Sequence, residues 1–388
     1  GYIYIDKGYH KGLSEKIYSI VKRNKGIIVS LDEEGGVDYL DDSTLLGRYS
    51  KTLFNQSNVT FLWGGYQHRL LRKNIQNNEV IISGHPRFHL LKPSFHYLYQ
   101  TEVNQIKSSF PKFILINTNM GFGNNIRGDS FVEKNYKNRF KNIREIIKVD
   151  KIKINAYISL ALKISKIKNM FIIFRPHPEE DLKTYLRAFN NIKNIKVKYE
   201  GSAVAWLLAA EKMIHPDCTT AIESNLLGKK SISFIPKDIP QSYLTHLPQK
   251  VSFNANSIDE VASYLKGEFS FLSLELIEEN KLLDKYFSIT KPTVDIIINR
   301  IASLKNSDLI KDKKPLKFFT KIYIKILNIR VRYSRHSSFE LAENKLKGFN
   351  YSNIINTLEN IEKNSDSGHK YISTDKVTDH LYVFNCNV

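Results

Sequence analysis

Four short stretches carry the residue types that do chemistry. Asp32-Glu33-Glu34-Gly35-Gly36 follows the apolar run GIIVSL (26–31). Three neighbouring carboxylates repel one another, and one held in a partly dry cleft gains proton affinity, which suits Glu34 or Glu33 to general acid or base work. The two glycines let the backbone turn sharply beside a ligand. The bland alternative is a solvated acidic turn. Arg175-Pro176-His177-Pro178-Glu179-Glu180 follows MFIIF (170–174). Each proline fixes its own φ and restricts its predecessor, so His177 stands on a nearly rigid backbone. It could donate to a phosphate and, protonated, neutralise charge on a departing one, with Arg175 as a second anion ligand. The alternative is a turn with a surface histidine.

The third stretch runs from His215 through Cys218, Thr219 and Thr220 to Glu223. Thr220 and Glu223 have the spacing of a capping box, so a structural role is the default. The same helix start offers backbone N–H groups and the Thr219 and Thr220 hydroxyls to a phosphate. Glu223, if turned to a cleft, could accept from ribose hydroxyls. The fourth is Asn117-Thr118-Asn119-Met120-Gly121-Phe122-Gly123 and the asparagines after it. A Gly121-x-Gly123 loop beyond a strand can cradle an anion through its amides, a weak pattern alone. Asn117 and Asn119 bring neutral donors and acceptors suited to sugar hydroxyls.

Elements that could position these groups are legible as alternating apolar runs and helical patterns. GIIVSL (26–31), VTFLWG (59–64), VIISG (80–84), KFILIN (112–117), MFIIFRP (170–176), IKVKYE (195–200), KMIHP (212–216) and KSISFIP (230–236) read as strands. Helical patterns fall at 10–24, 152–167, 181–190 and 203–211. The rhythm predicts α/β architecture with parallel sheets, in which ligands bind beyond the carboxyl ends of strands. All four stretches stand there. Two Rossmann-like units follow, at 1–105 and 106–300, with a basic and then polar appendage at 301–388. Trp63-Gly64, Gly84-His85-Pro86-Arg87 and Trp206 read as scaffold or interlobe packing.

With 388 residues, 42% hydrophobic and 25% charged, the chain is neither disordered nor fibrous. Cys218 and Cys386 are too few for a disulfide framework or a zinc site, and a reducing cytoplasm fits. No apolar run reaches membrane-spanning length. The chain opens on Gly1, which suits a truncated or processed product. A net charge of +19 favours anionic partners, although abundant lysine also fits an AT-rich coding bias. Lys311–Arg335 holds nine basic residues and one Asp, interleaved with Phe318, Phe319, Tyr323, Ile324 and Ile326. Such a helix can lie on an anionic membrane face or pack on the protein body. The charge also raises nucleic-acid binding as an alternative class, but no RRM, KH or zinc-finger pattern supports it. No Asp-x-Asp, Walker or Gly-x-Ser-x-Gly motif is present.

In order, SLDEEGG, FLWGGYQ, ISGHPRFHLL, FILINTNMGFGN, IIFRPHPEE and HPDCTTAIESNLLGKKSISFIP resemble the bacterial surface carbohydrate biosynthesis proteins over roughly residues 20–240. That family is similar to GT-B glycosyltransferases, with bacterial sialyltransferases and 3-deoxy-manno-octulosonic acid (Kdo) transferases as relatives. The resemblance implies a GT-B fold of two Rossmann-type domains across a cleft. It also implies transfer of an acidic ulosonic sugar from a CMP donor to a hydroxyl of a surface glycan or glycolipid; the absence of Asp-x-Asp speaks against a metal-bridged donor, so no metal and no cofactor beyond the CMP-sugar is expected. Glu34 matches the catalytic acid or base, with Glu33 beside it. His177-Pro178, followed by Glu179, matches the pair that contacts CMP, and Thr219-Thr220 the hydroxyl motif near its phosphate. Some retaining Kdo transferases carry an aspartate nucleophile where residues 117–125 offer asparagines. The expected location is cytoplasmic, with peripheral attachment to the cytoplasmic face of the inner membrane if the basic stretch lies on lipid rather than on the protein body. The rivals are a glycerophosphotransferase using CDP-glycerol and a sugar-nucleotide epimerase.

Overall fold

The structure is a computed structural model describing residues 3–7, 13–33, 42–74, 78–138, 140–167, 171–266, 273–305, 322, 326, 350–364, 371–378 and 381–386. The first lobe is a parallel sheet of β1 (Ile3–Asp6), β2 (Ile27–Leu31), β3 (Val59–Leu62) and β4 (Glu79–Ile82), side by side in chain order. Val29 pairs with Val59, which pairs with Glu79. Its helices are α1 (Leu13–Arg23), α2 (Ser43–Arg48), α3 (Lys51–Gln56) and α4 (Gly65–Leu71). After β4, α5 (Pro86–His89) and α6 (Gln100–Ser109) lead to the second lobe.

The second lobe has six parallel strands, β5 (Ile114–Asn117), β6 (Ile172–Arg175), β7 (Ile195–Val197), β8 (Lys212–His215), β9 (Ser231–Phe234) and β10 (Ser252–Ala255). Their spatial order is β10-β9-β8-β5-β6-β7. The chain winds outward from β5 to β7, then returns beside β5 and winds the other way. That reversal opens a crevice beyond the carboxyl ends of β5 and β8, the usual ligand position in such sheets. The helices are α7 (Asp129–Tyr136), α8 (Ile143–Ile164), α9 (Leu182–Ala188), α10 (Ala203–Ala209), α11 (Thr220–Leu226), α12 (His246–Lys250) and α13 (Ile258–Lys266). All eight expected strands are present. β1 and β10 were not among them, and the pattern expected at 152–167 is the end of the longer α8.

A parallel sheet must cover both faces, and alternation along its strands shows how this one does. Ile28 and Leu62 face Tyr18 and Val21 of α1 and Leu53 and Phe54 of α3. Ile27, Val29, Val59 and Phe61 point the other way, and among the described residues no helix of the first lobe itself joins their cluster. That cover comes from the end of the chain's α/β region. After α14 (Ser273–Phe287), α15 (Thr293–Lys305) lays Ile297 and Leu304 on those four residues. Each such buried aliphatic side chain contributes roughly 1.5–3 kcal/mol. Helix α15 therefore belongs physically to the first lobe, although its sequence continues the second.

Two glycines seat this return. Gly64 lies at the end of β3, and a Cβ there would collide with the Tyr286 carbonyl. Gly84 after β4 has φ +81°, and a Cβ would come within 2.6 Å of Thr293 Oγ1 and 3.0 Å of the Phe287 carbonyl. Around this seam Trp63, Tyr66 and Phe88 of the first lobe join Leu283, Tyr286 and Phe287 of α14. The same apolar cluster includes Trp206, Leu207, Ala221 and Ile222 of the second lobe. The result is two α/β lobes facing across a cleft, the GT-B arrangement.

Beyond α15, the helix Tyr351–Asn364 contacts the 93–99 segment, and strands Tyr371–Thr378 and Leu381–Cys386 form an antiparallel hairpin. Of the basic stretch 311–335, only Ile322 and Ile326 fall within the described residues. Among the described residues no helix is long and apolar enough to cross a membrane.

Candidate functional site

A cavity of about 500 Å³ opens where the carboxyl ends of the two sheets meet. The first lobe contributes Glu33 after β2, Trp63 after β3, and Arg87 and Phe88 after β4. The second lobe contributes Asn117, Thr118 and Asn119 at the end of β5, and Arg175, Pro176, His177 and Pro178 at the end of β6. Asp217, Cys218, Thr219 and Thr220 follow β8, and Tyr199 and Thr245 come from loops. Glu33 thus shares one cleft with His177, Thr219 and Thr220. Glu34 lies outside the described residues. Glu33 is exposed, its amide donates to the Lys7 carbonyl at 3.1 Å, and its carboxylate lies 4.0 Å from Lys7 Nζ. Asp32, fully buried, accepts from Gln67 Nε2 at 2.7 Å, and its carbonyl accepts from Trp63 Nε1. This pins the acidic turn to the end of β3.

Three His-Pro pairs stand at strand ends, His85 and His177 just beyond β4 and β6 and His215 as the last residue of β8, and all three imidazoles use Nδ1 as an acceptor. Nδ1 of His177 accepts from the Glu179 amide at 3.3 Å, Nδ1 of His85 from the Arg87 amide at 3.1 Å, and Nδ1 of His215 from the Cys218 amide at 3.3 Å. In the neutral rings of His85 and His215 the proton is therefore on Nε2. His85 is pushed down to about 4 by burial, with Arg87 adding to the effect. His215, pushed down to about 3 by burial, lies within 2.9 Å of Ser252 Oγ and is part of the core. His177 is the one of the three that lines the cleft. With Nδ1 accepting, its Nε2 is the ring atom left to donate toward a ligand.

Four further expectations change when contacts are followed. The amides of the Gly121-x-Gly123 loop are already occupied, since Phe122 and Gly123 donate to Asp150 Oδ2 at 3.1 and 3.3 Å. The acceptor they hold is the chain's own carboxyl group. Gly121 does not line the cleft but packs on Glu179 and His177, where a Cβ would lie 3.2 Å from Glu179 Cβ. Glu179 is likewise off the cleft wall. Arg175 lines the cleft, yet its terminal nitrogens donate to the carbonyls of Tyr199 and Gly201, both at 2.8 Å, leaving Nε buried without a partner. It braces the wall more than it offers a fork to an anion. The Thr220–Glu223 capping box is not formed. Thr219 is already helical at φ −59°, ψ −22°, and Thr220 donates to Cys218 Sγ at 3.1 Å. Glu223, instead of facing the cleft, accepts from Arg87 Nε of the other lobe at 2.5 Å.

Beneath the cleft floor a buried ionic network fixes the loops. Lys153 Nζ lies 3.1 Å from Asp217 Oδ1 and 3.7 Å from Asp150 Oδ1. Asp217 also accepts from Asn119 Nδ2 at 3.2 Å and the Thr245 amide at 2.9 Å. Burial alone would raise Asp217, but Lys153 and these donors outweigh it and hold the carboxyl below its ordinary value. Asp150 is raised to about 7, chiefly by burial, because one ammonium cannot neutralise two carboxylates. Glu180 accepts from Thr118 Oγ1 at 2.7 Å, from the amides of Met120 and His177 at 3.0 Å each, and from the Tyr185 hydroxyl. It joins the ends of β5 and β6 and sets the backbone of His177. Asn117 Oδ1 and Asn119 Oδ1 are buried with no hydrogen-bond partner among the described residues.

Sequence reasoning passed over Trp63, Arg87, Tyr199, Asp217 and Thr245 as cleft residues. The rule that found the others, chemistry just beyond a strand, marks Trp63 and Arg87 equally. Thr245 sits in a loop with no strand before it, and nothing in the sequence signals its place.

No protein-family model and no curated protein matches the chain. Among solved structures it is similar to UDP-GlcNAc 2-epimerases. That from Methanocaldococcus jannaschii shares 15% identity over 78% of this chain and 75% of the other, with a TM-score of 0.45. That from Neisseria meningitidis shares 15% over 78% and 76%, with a TM-score of 0.46. It is also similar to the wall teichoic acid polymerase TagF, at 10% identity over 79% and 73%, with a TM-score of 0.49.

Proposed function

We propose that the protein is a glycosyltransferase that moves an acidic ulosonic sugar from a CMP-activated donor to a hydroxyl of a surface polysaccharide or lipopolysaccharide. The observation that carries this reading is the shared cleft: an acidic turn on one lobe, and His177, Thr219 and Thr220 on the other. Support for the CMP donor comes from the sequence resemblance around His177-Pro178 and Thr219-Thr220. In the proposed reaction an acceptor hydroxyl oxygen forms a bond to the anomeric carbon. The bond from that carbon to the phosphate oxygen breaks, its electron pair leaving with CMP. The acceptor proton passes to a carboxylate of the acidic turn, Glu34 with Glu33 beside it. His177, donating through Nε2–H, and the threonine hydroxyls stabilise the phosphate as charge builds on it.

The test is a thermal-shift and turnover panel with CMP, CDP, UDP, GDP, CMP-ulosonic acids and CDP-glycerol, run in EDTA. Preferential stabilisation by CMP, with transfer from a CMP-ulosonic acid that persists in EDTA, is the expected result. Glu34→Gln should abolish transfer and leave CMP binding nearly intact, whereas His177→Ala should weaken both. Transfer from CDP-glycerol alone, or full activity of Glu34→Gln, would overturn the proposal.

A further inference from the structure

We propose that Asn117, with Nε of Arg175 beside it, recognises a ribose hydroxyl of the nucleotide and so makes the cleft select ribonucleotides over their deoxy counterparts. This inference rests on the reading above, in which a nucleotide-activated donor occupies the cleft, and names the groups that hold its ribose.

The cleft wall carries two polar atoms that the protein itself leaves unsatisfied. Asn117, the last residue of β5, is 5% exposed, and Arg175, the last residue of β6, is 8% exposed; both line the cavity. The two are register partners on neighbouring parallel strands, so their side chains leave the same face of the sheet, about 5 Å apart at the backbone. Asn117 Oδ1 is a buried acceptor with no partner, and Arg175 Nε is a buried donor with none. The rest of that guanidinium is engaged: its terminal nitrogens donate to the carbonyls of Tyr199 and Gly201, and it stands 5.6 Å from the centre of the Tyr199 ring. Buried polar groups are ordinarily paired, and two stranded ones of opposite polarity on one cavity wall point to a ligand.

Polarity identifies the group that fits. A phosphate or carbonyl oxygen would satisfy the arginine and strand the asparagine, and an amino group would do the reverse. A hydroxyl donates to Oδ1 and accepts from Nε at once. The Asn117 carboxamide makes no hydrogen bond to any described residue, so its terminal torsion, broad and two-fold in such groups, can turn the oxygen to meet it. Asn119 cannot do the same, because its amide is tied to Asp217.

Position identifies the hydroxyl as the ribose's. Strand β5 lies between β8 and β6, so a phosphate flanked by Thr219 and Thr220 on one side and His177 on the other stands over the end of β5. The transferred sugar must face the acidic turn of the first lobe, which leaves the wall of the second to the nucleoside. Glu223, whose spacing suited ribose hydroxyls, is turned to Arg87 and forms no part of that wall. Asp217 is occupied by Lys153, Asn119 and the Thr245 amide.

Calorimetric titration of CMP, its 2′-deoxy and 3′-deoxy analogues and CMP-N-acetylneuraminate into wild type and Asn117→Ala provides the test. Wild type should bind CMP about tenfold more tightly than one of the two analogues, as expected for loss of a hydrogen bond shared with a charged donor. Asn117→Ala removes no hydrogen bond of the folded protein, so it should melt with wild type, and in it the advantage of CMP over that analogue should fall below threefold. Equal binding of CMP and both analogues by wild type would overturn the inference, as would an advantage that persists in the variant. A variant weakened only toward CMP-N-acetylneuraminate would assign Asn117 to the transferred sugar and overturn it equally. UMP and its deoxy analogues, run alongside, separate this claim from the donor's identity. Binding of UMP and not CMP removes the CMP reading and moves the ribose comparison to the uridine series, whereas binding of neither removes both.

Discussion

The buried Asp150–Lys153–Asp217 network makes a pH signature that can be worked out from the structure. Asp217 carries the charge that pairs with Lys153, and burial leaves Asp150 as the weaker acid, raised from 3.8 to about 7. Between these two values the folded protein holds a proton that the unfolded chain has released. Stability from this group is fully present below the unfolded value and is lost as pH rises through the folded one. The slope approaches about 1.4 kcal/mol per pH unit, and the loss integrated from pH 5 to pH 7 is about 2 kcal/mol. Asp150→Asn removes the titration while leaving an amide oxygen for the Phe122 and Gly123 amides, which Asp150 Oδ2 now holds at 3.1 and 3.3 Å. Urea unfolding followed by tryptophan fluorescence, at several values across that interval, should show the variant gaining about 2 kcal/mol relative to wild type as pH rises. Parallel pH profiles for the two proteins would refute the reasoning, because they would mean that Asp150 is ionised in the fold throughout.

Two further substitutions probe what holds the cleft together. Gly64→Ala places a Cβ against the Tyr286 carbonyl, a backbone atom that cannot step aside, and should cost about 1–3 kcal/mol by lifting α14 off the first lobe; an unchanged urea midpoint would show that the seam is slack. Glu180→Ala strands the Met120 and His177 amides and the Thr118 hydroxyl, each costing about 1–3 kcal/mol when buried unpaired, whereas Glu180→Gln keeps an acceptor oxygen. The alanine variant should melt well below the glutamine variant and bind nucleotide more weakly, and coincident melts would exclude Glu180 as the joint between β5 and β6.

Much of the fold was legible because parallel strands buried on both faces read as short apolar runs, and Ile27–Leu31 or Ile172–Arg175 can hardly be anything else. The strand-end rule then located Glu33, His177, Thr219 and Asn117, since it depends on topology alone. What stayed hidden was pairing. Asp150 lies in the interior of α8, where a carboxylate ordinarily faces solvent, and nothing local shows that it will occupy the amides of a glycine loop. Glu223 has capping-box spacing, and only the approach of the other lobe turns it toward Arg87. Strand β10 is short and polar, Ser252–Ala255, so its run is indistinct from a turn. The destination of α15 was equally invisible, because its apolar stripe fits either sheet.

The residues that shape the cleft and those that join the lobes are neighbours along the chain. Trp63 lines the cavity and Gly64 seats α14. Arg87 lines it three residues after Gly84, which seats the link to α15. Thr220 lines it three residues before Glu223, which reaches the other lobe. Each strand end thus does two jobs at once, and this follows from the architecture: where two parallel sheets direct their carboxyl ends at each other, the same few residues must both enclose a ligand and carry the contact between lobes. A change at the seam alters the separation of Glu33 from His177 without touching either side chain. On the function proposed above, loss of turnover with retained nucleotide binding would accordingly mark a seam defect as much as a missing catalytic carboxylate. Only a variant such as Gly64→Ala, set beside Glu34→Gln, separates the two: the first lowers stability together with turnover, and the second lowers turnover alone.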